Sequence, residues 1–239
     1  MSNTPRQHLS GLPIISVVVR LLRRIGGKLS RGFLISLLGI IAFALLADEM
    51  GEGDLGMFDS VVRSGVHSLA MPWLTQLMIF FSFLGSGLFL GILGVLIFAY
   101  LLYIKWKREA VLFLITNAGE LMLNIGLKAF YQRQRPEALY DYALPSSYSF
   151  PSGHALGSFC FYGILAWIIV RNLETFTNKC ATAIAAAAMI FAIGLSRIYL
   201  GVHYPSDVVA GYLCAAVWTL TVILADRSLL KHRTKISKD

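Results

Sequence analysis

The chain has 239 residues, 56% of them hydrophobic and 14% charged, with a mean hydropathy of +0.68. Soluble domains carry about a quarter charged residues, so this composition excludes an ordinary soluble protein, and the apolar segments leave no stretch for a separate soluble domain. The net charge of +8 does not mark a nucleic-acid binder, because 16 of the 21 Lys and Arg fall in segments that a membrane topology places on one side. That is the positive-inside bias.

Residues 1–31 are basic and are expected to form a cytoplasmic N-terminal segment, in which the stretch 11–25 lies along the membrane interface. No small-residue cleavage site follows the apolar run that begins at Phe33, which predicts an uncleaved first span. A crossing helix needs about 20 apolar residues; the candidates are 32–47, 86–104, 109–129, 153–170, 180–199 and 205–225. An amphipathic helix is expected around 56–69. The apolar segment 72–84 is too short to cross and is broken off by Gly85-Ser86-Gly87, so it reads as a re-entrant or interfacial piece. A basic tail, 227–239, ends the chain.

Six spans put both termini on one side, with the Lys105–Arg108 and 171–179 loops beside them, and leave the acidic Asp48, Glu49, Glu52, Asp54 and Asp59 on the other. A seventh crossing at 72–84 would spread basic loops over both sides. The expected fold class is therefore all-α: one polytopic membrane helix bundle, 32–226, of six transmembrane helices with an extra interfacial or re-entrant segment. The short loops point to a bacterial inner or plasma membrane, with both termini cytoplasmic. Cys160, Cys180 and Cys214 have neither disulfide nor metal-ligand spacing and read as small apolar core residues.

Five basic residues fall on the outer side against the topology preference: Arg63, Lys128, Arg133, Arg135 and Arg197. Lys128 and Arg135-Pro136 close the third span. A mobile ammonium and a planar guanidinium suit the several oxygens of a phosphate, although a basic helix end taken alone is ordinary interfacial snorkelling. Pro151-Ser152-Gly153-His154 opens the fourth span, where free N–H groups form an anion site and His154 can exchange a proton with its occupant. Ser196-Arg197 and His203-Tyr-Pro-Ser-Asp207 join the fifth and sixth. Asp207 by itself could be a helix cap; four residues from His203, it can also hold one imidazole nitrogen and leave the other to attack. The topology brings all three clusters to one face, as a phosphoryl group requires.

Together, Lys-x6-Arg-Pro, Pro-Ser-Gly-His and Ser-Arg-x5-His-x3-Asp resemble the three-part signature of the type-2 phosphatidic acid phosphatase family, over roughly residues 80–226. The resemblance implies a membrane helix bundle that hydrolyses a lipid phosphomonoester or pyrophosphate without metal or other cofactor. Its partners are the lipid phosphate and the bilayer; the oligomeric state is left open. Position by position, it implies that His203 accepts the phosphoryl group, that Asp207 orients it, and that His154 protonates the leaving group and then activates water. Lys128, Arg135 and Arg197 would hold the phosphate oxygens, with Ser152 and the Gly153 backbone adding hydrogen bonds. Phosphatidic acid, phosphatidylglycerol phosphate, undecaprenyl pyrophosphate and lipid A all present such a group. Lipid phosphotransfer, lipid transport and vanadium haloperoxidase chemistry are the alternatives for the same pocket.

Asn117, Glu120, Asn124 and Lys128 share one helix face by their spacing. The expectation is that this stripe supports Lys128. Substrate selection is expected in the outer loop 136–150, in 48–85 and in the lateral faces between spans.

Overall fold

The computed structural model describes residues 27–52, 55–137 and 146–236. Eight helices follow one another among the described residues: α1 (Gly27–Glu52), α2 (Gly56–His67), α3 (Pro72–Leu84), α4 (Gly87–Tyr103), α5 (Lys107–Tyr131), α6 (Gly153–Asn172), α7 (Phe176–Tyr199) and α8 (Pro205–Ile236). The described residues form no strand. The interfacial stretch 11–25 and residues 138–145 of the outer loop lie outside the described residues.

Local chemistry sets the helix ends. Pro72 and Pro205 stand at first helical positions, where the missing N–H costs nothing. Ser86 and Thr175 cap α4 and α7 by accepting from the N–H groups of Phe89 (3.2 Å) and Asn178 (3.4 Å). α5 stops where Gln132 turns left-handed at φ 47°, and the chain then enters the Arg133–Pro136 loop.

Five helices are long and apolar enough to cross a membrane on their own: α1, α5, α6, α7 and α8. The sixth candidate involves two helices. α4 has 17 residues, about 25 Å of helix, which falls short of a hydrocarbon layer about 30 Å thick. α3 and α4 together are long enough, bent by 49° at the Gly85-Ser86 break. The bent pair fits one broken span, and it equally fits the re-entrant α3 before a crossing α4 that the sequence led us to expect. Many large apolar side chains on α1, α4 and α5 are exposed, among them Phe33, Leu38, Leu88, Val95 and Met122. On a crossing helix these faces meet acyl chains.

α6 is the central column. Ala155, Leu156, Cys160, Phe161, Ile164 and Ile168 are buried along it, and Phe113 of α5 meets Phe161 edge-on at 5.2 Å. Cys160 is the core residue expected, while Cys180 and Cys214 are half-buried. Polar pegs lock the column's neighbours: Trp218 Nε1 donates to the Thr116 carbonyl (2.9 Å), Tyr212 to the Ile190 carbonyl (2.7 Å), and Tyr162 to the Leu84 carbonyl (3.0 Å). Arg108 forks onto Asp226, joining α5 to α8 away from the outer loops.

α6 and α8 are in backbone contact where both begin. The Ser152 N–H donates to the Asp207 carbonyl (3.0 Å), and a Cβ on Gly211 would sit 2.8 Å from the Ser152 carbonyl oxygen. Backbone cannot rotate out of the way as a side-chain tip can. Gly211→Ala is therefore expected to part the two helix starts, destabilising the protein by about 1–3 kcal/mol. Thermal unfolding of the purified variant measures this; an unchanged midpoint would show that the contact has slack.

Candidate active site

The turn between α7 and α8 builds the centre of the site. Gly201, at φ 73°, lets the chain reverse, and His203 follows with only 2% of its surface exposed. Pro205 then starts α8. Asp207, in its first turn, reaches back to the Tyr204 N–H (2.9 Å), as a carboxylate at a helix start does. The cap reading of Asp207 is thus correct as far as it goes. The same Oδ2 also lies 3.3 Å from His203 Nδ1 and accepts from the Ser149 hydroxyl at 2.5 Å. Ser149 Oγ is itself 3.3 Å from Nδ1.

On the other side of the ring, Nε2 lies 3.1 Å from Arg135 Nη1. A guanidinium only donates, so Nε2 must present its lone pair and the ring proton belongs on Nδ1. Burial pushes the imidazole pKa down to about 3, against the pull of Asp207, and the charges of Arg135 and Arg197 push the same way. The ring is therefore neutral at physiological pH. Burial, and then the charge of Arg197, bring Arg135 down to about 10 with Asp207 opposing, which leaves it a cation.

Arg135 is held by carbonyls: Ser147 (2.8 Å), Val202 (2.8 Å) and Tyr148 (3.4 Å). Lys128 Nζ donates to the Tyr148 and Ser149 carbonyls. Arg197 is buried, with Nη1 on the Ser82 hydroxyl of α3. His154 stands half-buried in the first turn of α6. A cavity of about 480 Å³ is lined at one end by Lys128, Arg135, Gly153, His154, Arg197 and His203.

Six of the eight residues singled out from the sequence therefore share one cavity. Asp207 stands behind His203, fully buried. Ser152 is also fully buried and is not among the lining residues; its N–H is used on the Asp207 carbonyl and its hydroxyl has no partner. Among the described residues Lys128 hydrogen-bonds the Tyr148 and Ser149 carbonyls rather than Glu120 or Asn124, which line the same cavity below it. Among the described residues no group of three or more His, Cys, Asp or Glu could hold a metal ion.

Four residues of the site were missed in the sequence: Arg133, Asp59, Ser149 and Ser206. Arg133 spans two buried carboxylates, donating to Asp207 Oδ1 (2.6 Å) and Asp59 Oδ2 (2.8 Å), and lies over the Tyr204 ring at 4.0 Å. Asp59, on α2, also accepts from the Ser206 N–H (2.9 Å) and hydroxyl (2.7 Å). Arg133 carried a usable signal, as an outer cation that breaks the charge rule. Asp59 carried none, because nothing in its neighbourhood in sequence marks it as buried.

The sequence model of the PAP2 superfamily matches residues 109–229, a span that holds every motif above. Phosphatidylglycerophosphatase B of Bacillus subtilis is 29% identical over 194 residues, covering 81% of this chain and 95% of that protein. A lipid A 1-phosphatase of Rhizobium johnstonii is 32% identical over 128 residues, half of this chain and 48% of its own. Among solved structures, a transmembrane PAP2-type phosphatidylglycerolphosphate phosphatase from Bacillus subtilis superposes with a TM-score of 0.75 at 28% identity, over 81% of this chain and 96% of that one. LpxE of Aquifex aeolicus gives 0.53 at 27% identity, over 68% and 92%. The match takes in half of the chain and the neighbouring fold most of it: this multi-pass membrane protein belongs to the PAP2 superfamily.

Proposed function

We propose that the protein is a lipid phosphate phosphatase that hydrolyses a phosphomonoester or pyrophosphate through a phosphohistidine on His203. The observation that carries the reading is the state of that ring. Its Nδ1–H is turned to Asp207 at 3.3 Å, and its Nε2, which accepts from Arg135 at 3.1 Å, borders a cavity shared with three cations and a second histidine, so that a phosphate drawing Arg135 onto its own oxygens would release the lone pair for attack.

In the first step Nε2 attacks phosphorus as the bond to the lipid oxygen breaks. His154 gives its proton to that oxygen, the imidazolium formed on His203 is stabilised by Asp207, and the lipid departs as an alcohol or a monophosphate. In the second step His154 takes a proton from water, the water oxygen attacks phosphorus, and the N–P bond breaks to return neutral His203. Lys128, Arg135 and Arg197 neutralise the charge on the equatorial oxygens throughout, with the Gly153 backbone beside them. The reading assigns that role to side chains and asks no metal to fill it.

Relatives named as phosphatidylglycerophosphatase, lipid A 1-phosphatase and decaprenylphosphoryl-5-phosphoribose phosphatase support a lipid as substrate. The charge pattern supports the orientation: both termini in the cytoplasm and the cavity mouth at the opposite face of a bacterial inner or plasma membrane.

His203→Ala is expected to reduce phosphate release from lipid phosphates, measured with chelator present, by at least about a thousandfold. A radiolabelled phosphate donor should leave an acid-labile, base-stable mark on the wild type that the variant lacks. Full turnover in the variant would overturn the mechanism, and a labelled acceptor in place of free phosphate would make the protein a transferase.

Arg133 and Asp59 make no contact with the cavity in this reading and act through Asp207. Asp59→Asn is expected to lower kcat about ten- to a hundredfold, the equivalent of about 1.4–3 kcal/mol, with KM changing much less. Equal kcat in the variant would show that the α2 link is dispensable for catalysis.

A further inference from the structure

Below its cationic end the cavity continues between α4, α5 and α6, and its lining changes twice. Asn124, Glu120 and Asn117 line it first, and Phe113, Leu114, Val95 and Phe98 follow. At the rise of a helix, Asn124 lies about 6 Å, Glu120 about 12 Å and Asn117 about 16 Å below Lys128. All three are therefore at hydrocarbon depth in a crossing helix.

Polar groups at that depth are costly unless they are paired. Here they are not. The Asn124 carbonyl oxygen is buried with no hydrogen-bond partner. Glu120 makes no hydrogen bond or ion pair among the described residues, where the only ion pairs are those of Arg108, Arg133 and His203. Only Asn117 is engaged, its amide donating to the Phe113 carbonyl at 2.8 Å. The opposite wall has been kept open at the same level: Gly91 and Gly94 of α4 and Gly157 of α6 line the cavity, and a Cβ on Gly157 would already lie 3.5 Å from Glu120 Oε1. Unpaired acceptors and donors face space that three glycines leave vacant.

We propose that Asn117, Glu120 and Asn124 form a second subsite, which takes the hydroxyl-, ester- or amide-bearing linker of a glycerolipid or glycolipid while its phosphate sits among the cations. The inference rests on the phosphatase reading above and names its substrate class. The glycerol or sugar of such a lipid lies within a few bonds of the phosphate and can satisfy the stripe. A polyprenyl phosphate has only hydrocarbon there and would leave Glu120 and the Asn124 carbonyl oxygen unpaired. A site built to hydrogen-bond its substrate rejects the analogue that lacks those groups far more strongly than an apolar pocket rejects an extra polar one. The apolar depth beyond Asn117 then receives the chains.

The test compares phosphate release from phosphatidic acid and from a polyprenyl monophosphate, presented in the same vesicles to purified full-length protein. Wild-type kcat/KM is expected to favour phosphatidic acid. That preference should fall about tenfold or more in Glu120→Leu and in Asn124→Leu, and less in Glu120→Gln, which keeps a hydrogen-bonding group. A wild type that prefers the polyprenyl phosphate overturns the inference. So do variants whose two activities fall in step, which would make the stripe structural, and variants that keep the wild-type preference. Turnover of p-nitrophenyl phosphate reports whether the cationic end is assembled; if a leucine variant fails that check, the glutamine variant decides by the same ratio. A wild type that releases phosphate from neither lipid overturns this inference, and one that also releases none from a lipid pyrophosphate sinks the phosphatase reading itself.

Discussion

A neutral imidazole held between a carboxylate and a guanidinium is the constraint from which the rest of the site follows. Arg135 fixes the tautomer of His203 by having nothing but donors to offer. Asp207 can then receive the ring proton's hydrogen bond and remain ionised only if its own charge is met elsewhere. Arg133 meets it, and Asp59 in turn holds Arg133 from α2. Each buried charge would be costly alone; chained, with Ser149, Ser206 and backbone N–H groups filling the remaining lone pairs, they form a satisfied network. The amphipathic helix α2 is thereby tied to the first turn of α8, some 150 residues further along the chain.

Membrane placement gives that network its use. Three cations collected at one end of a bundle would repel one another without an anion among them, and the cavity they line continues along α4, α5 and α6. The bend between α3 and α4 belongs to the same design. It lets α3 carry Ser82 to Arg197 while α4 lies alongside the cavity, its glycines keeping that wall thin. A straight helix in this position would have to give up one of those contacts.

Much of this was legible in the sequence because the signals were local. Pro151-Ser152-Gly153 and Pro205 announce helix starts, and His154, Arg197 and His203 fall at span ends by counting alone. What escaped was long-range. Asp59 and Arg133 are separated by 74 residues and have no periodic relation. The pairing of α3 with α4 depends on a bend angle, which composition does not encode. Glu120 was visible as an anomaly and its face correctly assigned, but spacing could not distinguish a prop for Lys128 from the wall of a cavity. That required seeing which carbonyls Lys128 had already taken.

The central claim is that groups from distant loops enclose one tetrahedral anion with His203 Nε2 at its apex. A structure of the full-length protein with orthovanadate tests it most directly. The account predicts vanadium bonded to Nε2, its equatorial oxygens on Lys128, Arg135 and Arg197, and His154 beside the apical oxygen opposite His203. Vanadate bound away from Nε2, or His154 out of reach of that oxygen, would contradict it.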